Sequence, residues 1–140
     1  MCIRDRFYER LEPAVFVLRL VPGMRADIIP LLAPHYRALV LESFGVGGLP
    51  GGEHGEMFAA LRRWCESGRL AVFTTQVPHE GCDLAVYEVG RAVGELPGVL
   101  EARDMTPEAV AVKLMWALGQ TEDREKAARL FETPIEYDIM

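Results

Sequence analysis

Cysteine is scarce in this chain, and the few cysteines present suggest no pairing. Cys2, Cys65 and Cys82 make an odd number within 140 residues, and none of them forms a C-x-x-C spacing. Small secreted domains that depend on disulfides carry denser and even-numbered cysteines. We therefore expect a protein that works in a reducing, cytoplasmic setting.

Long apolar runs and an excess of positive charge are missing as well. No stretch approaches the roughly 20 apolar residues that a membrane-spanning helix needs, and the start of the chain lacks the apolar core of a secretory signal. The 15 lysines and arginines are outnumbered by 21 aspartates and glutamates, which gives a net charge of −6. Nucleic acids and anionic membranes attract clustered cations, so neither is an expected partner.

The chain does contain apolar residues in the proportion of a folded domain. Half of its 140 residues are apolar and 26% are charged, which predicts one domain with one core. The opening residues 1–6, M-C-I-R-D-R, belong to no periodic pattern. We interpret them as a non-native scar and assign the folded domain to residues 7–140.

Three short apolar runs predict the strands of a parallel sheet. They occupy residues 15–20, 38–41 and 70–73 and are continuous, whereas half-buried strands would alternate. Residues 99–102 predict a short fourth strand. Strands of this kind are covered by helices on both faces, so the expected fold class is α/β, with about four parallel strands in a Rossmann- or flavodoxin-like three-layer domain.

Helices are predicted between and after these strands. Apolar residues recur at helical spacing over residues 57–65, and Gly68 stands where a C-terminal cap would lie. The triplet Thr106-Pro107-Glu108 combines a cap residue, a proline and a carboxylate that all favour a helix start. The remaining predicted helices are a short one within residues 24–32, one over residues 84–96, and a last one that begins at residues 121–123 and turns a charged, solvated face over residues 122–129.

The helix predicted over residues 107–118 has apolar residues on all sides, and Lys113 is its only cation. An amphipathic helix on a sheet would need only one apolar face. We expect this helix to be buried on more than one side, by its own sheet and by another subunit.

A glycine-rich turn follows the second predicted strand, with the sequence F-G-V-G-G-L-P-G-G at residues 44–52. Pro50 stands where the third glycine of a G-x-G-x-x-G dinucleotide fingerprint belongs, so that interpretation fails. Two interpretations stay open. The glycines either permit a tight turn alone, or they also let Gly45, Val46, Gly47 and Gly48 line a ligand or subunit surface.

Polar residues follow the second and third strands, at the edge of an open α/β sheet where ligands gather. We therefore predict a small-ligand crevice there, lined by Glu42, Ser43, Thr74, Thr75, Gln76 and Val77, although strands also simply end where polarity begins. The three histidines lie in separate loops without metal-ligand spacing. No serine, threonine or cysteine pattern indicates a nucleophile, so the residues themselves predict no catalytic group, no metal and no cofactor.

Four segments together resemble the bacterial cytoplasmic-type L-asparaginases. The turn L-E-S-F-G-V-G-G-L-P at residues 41–50 resembles the family's G-V-G-N or G-V-G-G loop, and T-T-Q at residues 74–76 resembles a strand end. D-M-T-P-E-A at residues 104–109 and K-L-M-W-A-L-G-Q at residues 113–120 resemble the helix that follows. The matches fall in order over residues 15–131 and correspond to the family's C-terminal domain.

The resemblance implies a domain that lacks the reactive groups. The family hydrolyses L-asparagine to aspartate and ammonia with threonine nucleophiles in N-terminal T-G-G-T and H-G-T-D-T motifs, and neither motif occurs here. This chain is accordingly expected to be inactive without an N-terminal catalytic domain. Its expected roles are to form dimers or tetramers and to supply part of the active-site wall of a neighbouring subunit.

Two departures from the family pattern bear on these roles. The asparagine that reaches across to the neighbour is replaced by Gly48, which offers only backbone groups. Some members bind asparagine as an allosteric activator through an arginine and a cysteine, and Glu42 and Val77 stand at those positions. A carboxylate in place of the arginine turns attraction for the ligand carboxylate into repulsion, which weighs against the same regulation here.

Two other functions remain alternatives at this point. The first is a free-standing Rossmann-like module that binds a small ligand or regulates a partner without catalysis. The second is a purely structural assembly domain, with the apolar helix over residues 107–118 as its interface.

Overall fold

A four-stranded parallel sheet forms the centre of the domain in a computed structural model that describes residues 8–44, 48–76, 84 and 88–139. The strand order is β1-β2-β3-β4, with every neighbouring pair parallel. The strands are β1 (Val15–Arg19), β2 (Ala38–Ser43), β3 (Leu70–Thr75) and β4 (Val99–Glu101). All four predicted strands and their parallel direction are confirmed, whereas the proposed scar at residues 1–6 lies outside the described residues.

β2 and β3 each run two residues beyond the apolar runs that predicted them. The extensions are Glu42–Ser43 and Thr74–Thr75, which pair with each other in register across the two strands. The apolar runs predicted strand ends that come too early, because the backbone hydrogen bonds between the strands continue after the side chains become polar.

Five α-helices are present in the described part of the chain, besides a short 3-10 helix at Gly52–His54. They are α1 (Ile28–Leu32), α2 (Glu56–Glu66), α3 (Glu88–Gly94), α4 (Pro107–Gln120) and α5 (Arg124–Glu132). α1 is shorter than predicted, and most of the predicted start of α3, at residues 84–87, lies outside the described residues. No helix within the described ranges is long and apolar enough to cross a bilayer.

The predicted helix caps are present. The Thr106 hydroxyl accepts a hydrogen bond from the Ala109 N–H at 3.3 Å, with Pro107 as the first residue of α4. Gly68 follows α2 with a φ of +88°, a left-handed conformation that glycine adopts without a Cβ penalty. Asp123 caps α5 by accepting from the Glu125 N–H at 2.9 Å.

The helices cover the sheet on both faces, which confirms the three-layer arrangement. Leu39, Leu41 and Phe73 face one cluster, in which α1, α2 and α3 contribute buried residues. Val40 and Val72 face the other, which α4 and α5 complete. Because the strands follow one another in sequential order, crossovers of one hand all lie on one face. The two helices after the last strand are left to cover the opposite face.

The apolar helix α4 buries most of its surface, and also its only cation. Lys113 is buried and its Nζ lies 2.6 Å from Asp138 Oδ2 and 2.9 Å from the Thr133 carbonyl oxygen. In contrast, Val112 keeps 60% of its surface exposed. Trp116 is half-buried and packs edge-on against Tyr8, with ring centroids 5.3 Å apart. The domain alone therefore leaves part of α4 uncovered.

The prediction of a wholly solvated face at the start of α5 is wrong for Arg124. Its side chain is half-buried, and its Nη1 donates to the Cys65 carbonyl oxygen at 2.6 Å. The charged pattern alone could not show that this position faces the end of α2.

Candidate functional site

The side chain of Gln76 joins the carboxyl ends of three strands. Its Nε2 donates to the carbonyl oxygens of Leu20, at 2.5 Å, and Glu42, at 2.7 Å. Its Oε1 accepts a hydrogen bond from Nε of Arg19 at 3.0 Å. Both amide hydrogens are therefore committed to the ends of β1 and β2, and the carboxamide fixes this edge of the sheet.

Ser43 and Thr74 are enclosed at the same edge. They retain 0% and 1% of their accessible surface, respectively. The Ser43 hydroxyl donates to the Thr74 carbonyl oxygen at 3.0 Å across β2 and β3. A hydroxyl bound to a backbone carbonyl has no base to activate it. This geometry gives Ser43 a structural task, while ligand binding at the edge stays a prediction.

Glu42, Thr75 and Gln76 are the half-buried members of the predicted crevice. Of these, Glu42 and Thr75 point to opposite faces of the sheet. Successive residues of a strand alternate in direction, so Glu42 lies on the face of α4 and Thr75 on the face of α2. The six predicted residues thus do not share one face. Val77 lies outside the described residues.

Arg19 is a polar residue of this edge that the sequence reasoning missed. It is exposed, ends β1 and stands in register with Glu42 of β2. The pairing places a cation beside the carboxylate that was expected to repel an anionic ligand. A cation within the first apolar run was the available signal, but its partner became evident only from the register.

The glycine turn is described only at its two ends, because Gly45, Val46 and Gly47 lie outside the described residues. Phe44 and Gly48 form an isolated bridge, with the Gly48 N–H donating to the Phe44 carbonyl oxygen at 2.9 Å. A Cβ atom added at Gly48 would lie 2.5 Å from both Cδ2 and the carbonyl oxygen of Phe44. The phenyl ring therefore occupies the space that a side chain at position 48 would need.

Reactive groups are not assembled in the described part of the domain. Burial raises the pKa of the Cys65 thiol to about 11, which keeps it protonated at neutral pH. The described ranges contain no group of three or more histidine, cysteine, aspartate or glutamate side chains that could hold a metal ion. What this edge offers is a rigid surface with one exposed cation and one half-buried carboxylate.

Known proteins similar to this chain include two kinds of amide-processing protein. An L-asparaginase of Thermococcus kodakarensis is 38% identical over 133 residues, which are 95% of this chain and 40% of that protein. A glutamyl-tRNA(Gln) amidotransferase component of Metallosphaera sedula is 36% identical over 125 residues, covering 89% of this chain and 27% of that protein. The chain thus spans less than half the length of these relatives.

Solved structures agree with the sequence comparison. The thermostable L-asparaginase from Thermococcus kodakarensis superposes with a TM-score of 0.85 over 94% of this chain and 39% of its own. L-asparaginase I from Vibrio cholerae gives a TM-score of 0.80 at 28% identity, over 92% of this chain and 38% of its own. The profile of the glutaminase/asparaginase C-terminal domain matches residues 14–131. With fold and sequence in agreement, this chain belongs to the glutaminase/asparaginase C-terminal domain family.

Proposed function

We propose that this chain works as the C-terminal part of an L-asparaginase subunit, in which L-asparagine is hydrolysed to L-aspartate and ammonia. In this proposal the reactive hydroxyls come from an N-terminal catalytic domain, and the chain alone is inactive. The observation that carries the proposal is the likeness to an L-asparaginase over almost the whole chain, restricted to less than half of that relative. The reducing setting inferred from cysteine usage extends the proposal to a cytoplasmic location.

The geometry of the carboxyl edge supports the role of a wall rather than a catalyst. Gln76 and Ser43 use their polar groups in hydrogen bonds to the backbone of neighbouring strands. Hydrolysis of an amide needs an activated nucleophile and an oxyanion site within hydrogen-bond reach of one another. Phe44, the first residue of the glycine turn, lies directly after β2 at this edge, and we assign to the turn the border of a site whose reactive groups lie in another domain.

The uncovered part of α4 supports a role in assembly. Val112 is 60% exposed and lies on the same helix as the half-buried Trp116. Apolar surface of this kind is stabilised when a second copy of the chain covers it. We assign α4 to the contact of a homodimer, and two such dimers would form a tetramer.

Two alternatives have specific observations in their favour. The likeness to the amidotransferase component makes a glutamyl-tRNA(Gln) amidotransferase assembly the competing use of the same domain. A free-standing binding module is favoured by Arg19 and Glu42, which stand in register as a cation and a carboxylate. Such a pair matches the two charges of a zwitterionic amino acid.

Ammonia release tests the proposal directly. The purified chain is incubated with L-asparagine and with L-glutamine, and then with a co-expressed N-terminal domain from a related L-asparaginase. We expect ammonia only from the co-expressed pair, with L-asparagine as the better substrate. Turnover by the chain alone would contradict its inactivity, and a pair that forms but releases no ammonia from L-asparagine would contradict the proposed role in an L-asparaginase subunit.

A matched pair of variants tests the role of α4. Val112→Asp places a charge on the proposed contact. Leu31→Asp is the control, because Leu31 is 66% exposed and lies on α1, which covers the other face of the sheet. We expect Val112→Asp to abolish the restored turnover and to lower the mass measured by light scattering. Equal effects of the two variants would remove α4 from the interface.

A further inference from the structure

A cavity of about 280 Å³ opens at the amino edge of the sheet, opposite the edge that carries Gln76. Its wall brings together three arginines that are distant in sequence: Arg37 before β2, Arg69 before β3 and Arg124 at the start of α5. The chain as a whole carries a net charge of −6. The cavity therefore gathers positive charge in a chain whose net charge is negative.

Arg69 is held in place almost entirely by neutral groups. Its Nε donates to the Tyr36 carbonyl oxygen at 3.1 Å, and its Nη2 donates to the Ala33 carbonyl oxygen at 2.7 Å. Its Nη1 donates to the Ser67 hydroxyl at 2.6 Å, and the guanidinium lies over the Trp64 ring at 5.3 Å. These contacts fix its orientation without neutralising its charge.

Arg124 also donates to a neutral partner, and its guanidinium lies close to the backbone of Gly98. Its Nη1 donates to the Cys65 carbonyl oxygen at 2.6 Å. Gly98 has a φ of +91°, and a Cβ there would lie 2.9 Å from the Arg69 carbonyl oxygen and 3.2 Å from Nη1 of Arg124. The loop before β4 thus accommodates the arginine at close range.

Carboxylates neutralise little of this charge among the described residues. Arg37 Nη1 lies 3.4 Å from Glu12 Oε2 and 3.4 Å from the Leu118 carbonyl oxygen, both at the long limit of a hydrogen bond. Glu122 also lines the cavity but is exposed. The three arginines are therefore opposed by one long ion pair and one solvated carboxylate.

We propose that this cavity is a binding site for a phosphate group, free or carried by a small phosphomonoester. Guanidinium groups that are already oriented can donate their remaining N–H groups to phosphate oxygens and lose little freedom in doing so. A volume of about 280 Å³ suits a compact anion or a small ester. The site is separate from the carboxyl edge, so it does not depend on the asparaginase role.

Isothermal titration of the full chain with inorganic phosphate, and separately with glycerol phosphate, tests the site at constant ionic strength. Arg37→Gln removes the arginine with the weakest internal contacts, so the fold should persist, which thermal unfolding without phosphate checks. We expect this variant to weaken binding at least about tenfold. The tighter of the two ligands identifies free phosphate or an ester as the source of the group.

Removing the opposing carboxylate provides an independent arm that does not threaten the fold. Glu122→Gln should tighten phosphate binding by about threefold, because a like charge near the anion is lost. Glu136→Gln makes the same change in net charge on the exposed C-terminal tail and should leave affinity unchanged. The proposal is overturned if neither ligand binds. It is also overturned if Arg37→Gln leaves the affinity unchanged, or if Glu122→Gln and Glu136→Gln change the affinity equally.

Discussion

The buried ion pair between Lys113 and Asp138 should be a main anchor of the C-terminal tail. The Lys113 side chain is 6% exposed and that of Asp138 is 27% exposed, with 2.6 Å between Nζ and Oδ2. The ammonium also donates to the Thr133 carbonyl oxygen and lies 5.8 Å from the centre of the Phe131 ring. Removing one partner of a buried pair leaves the other as an uncompensated charge, which costs about 3–5 kcal/mol when both are fully enclosed.

The two halves of the pair should not be equally sensitive to substitution. Asp138→Asn leaves Lys113 charged inside the core, and since Asp138 is partly solvated we expect a loss of about 2–3 kcal/mol in unfolding free energy. Lys113→Met leaves a carboxylate that water can reach, so the expected loss is smaller, about 1–2 kcal/mol. The double variant should be no less stable than Asp138→Asn, because no unpaired buried charge remains.

Urea unfolding followed by circular dichroism measures these differences from the transition midpoint at constant slope. Asp27→Asn is the control, since it breaks the Arg25–Asp27 pair, whose side chains are 84% and 53% exposed, and should change stability by less than about 0.5 kcal/mol. If Asp138→Asn costs no more than this control, the pair does not anchor the tail. Additive losses in the double variant would show that the two charges are not coupled.

Three further predictions follow from local geometry. Gly48→Ala should lower the unfolding free energy by about 1–3 kcal/mol, because the added methyl group clashes with Phe44. Adding Phe44→Ala should restore part of that loss, as measured by urea unfolding. A urea midpoint that Gly48→Ala leaves unchanged would contradict the packing. In a variant whose other two cysteines are replaced by serine, Cys65 should react with a thiol reagent at pH 8 only after urea is added. The reason is that burial raises its pKa to about 11, so the reactive thiolate is scarce in the folded protein. Rapid labelling of the folded protein would contradict this burial. Burial raises the pKa of Asp138, but the hydrogen bonds from Lys113 and from the Ile135 and Ile139 N–H groups, together with the positive charge of Lys113, outweigh burial and lower that pKa. The stability advantage over Asp138→Asn should therefore hold above about pH 4 and be lost as pH falls through the folded pKa. An advantage that does not shrink on acidification would contradict this linkage.

Features that depend on a few consecutive residues could be predicted from the sequence. Continuous apolar runs indicated the strands and their parallel direction, because a strand buried on both faces cannot alternate. The cap at Thr106 and the left-handed Gly68 were equally predictable, since each acts within one helical turn. The resemblance added the family, which no periodicity could supply.

Features that depend on tertiary register could not be predicted in this way. Arg19 and Gln76 are separated by 57 residues, and only the sheet brings their side chains to 3.0 Å. Lys113 stood out as the only cation of an apolar helix, but its partner lies in the C-terminal tail, which folds back to pair with it. Arg124 belonged to a charged stretch whose inward position follows from the packing of α5 on the end of α2.

The distribution of polar groups over the two edges of the sheet bears on how the domain would contribute to catalysis. At the carboxyl edge, Gln76 and Ser43 bind strands to one another, so the base of the Phe44 loop is held rigidly. A wall that borders a reactive centre must hold its position, because displacements near 1 Å can cost about 100-fold in rate. At the amino edge, Arg69 and Arg124 are oriented by neutral groups, and Arg37 has one long ion pair with Glu12. We therefore expect substitutions of Gln76 to act on turnover through loop position, and substitutions of Arg37 to leave turnover unchanged while altering anion binding.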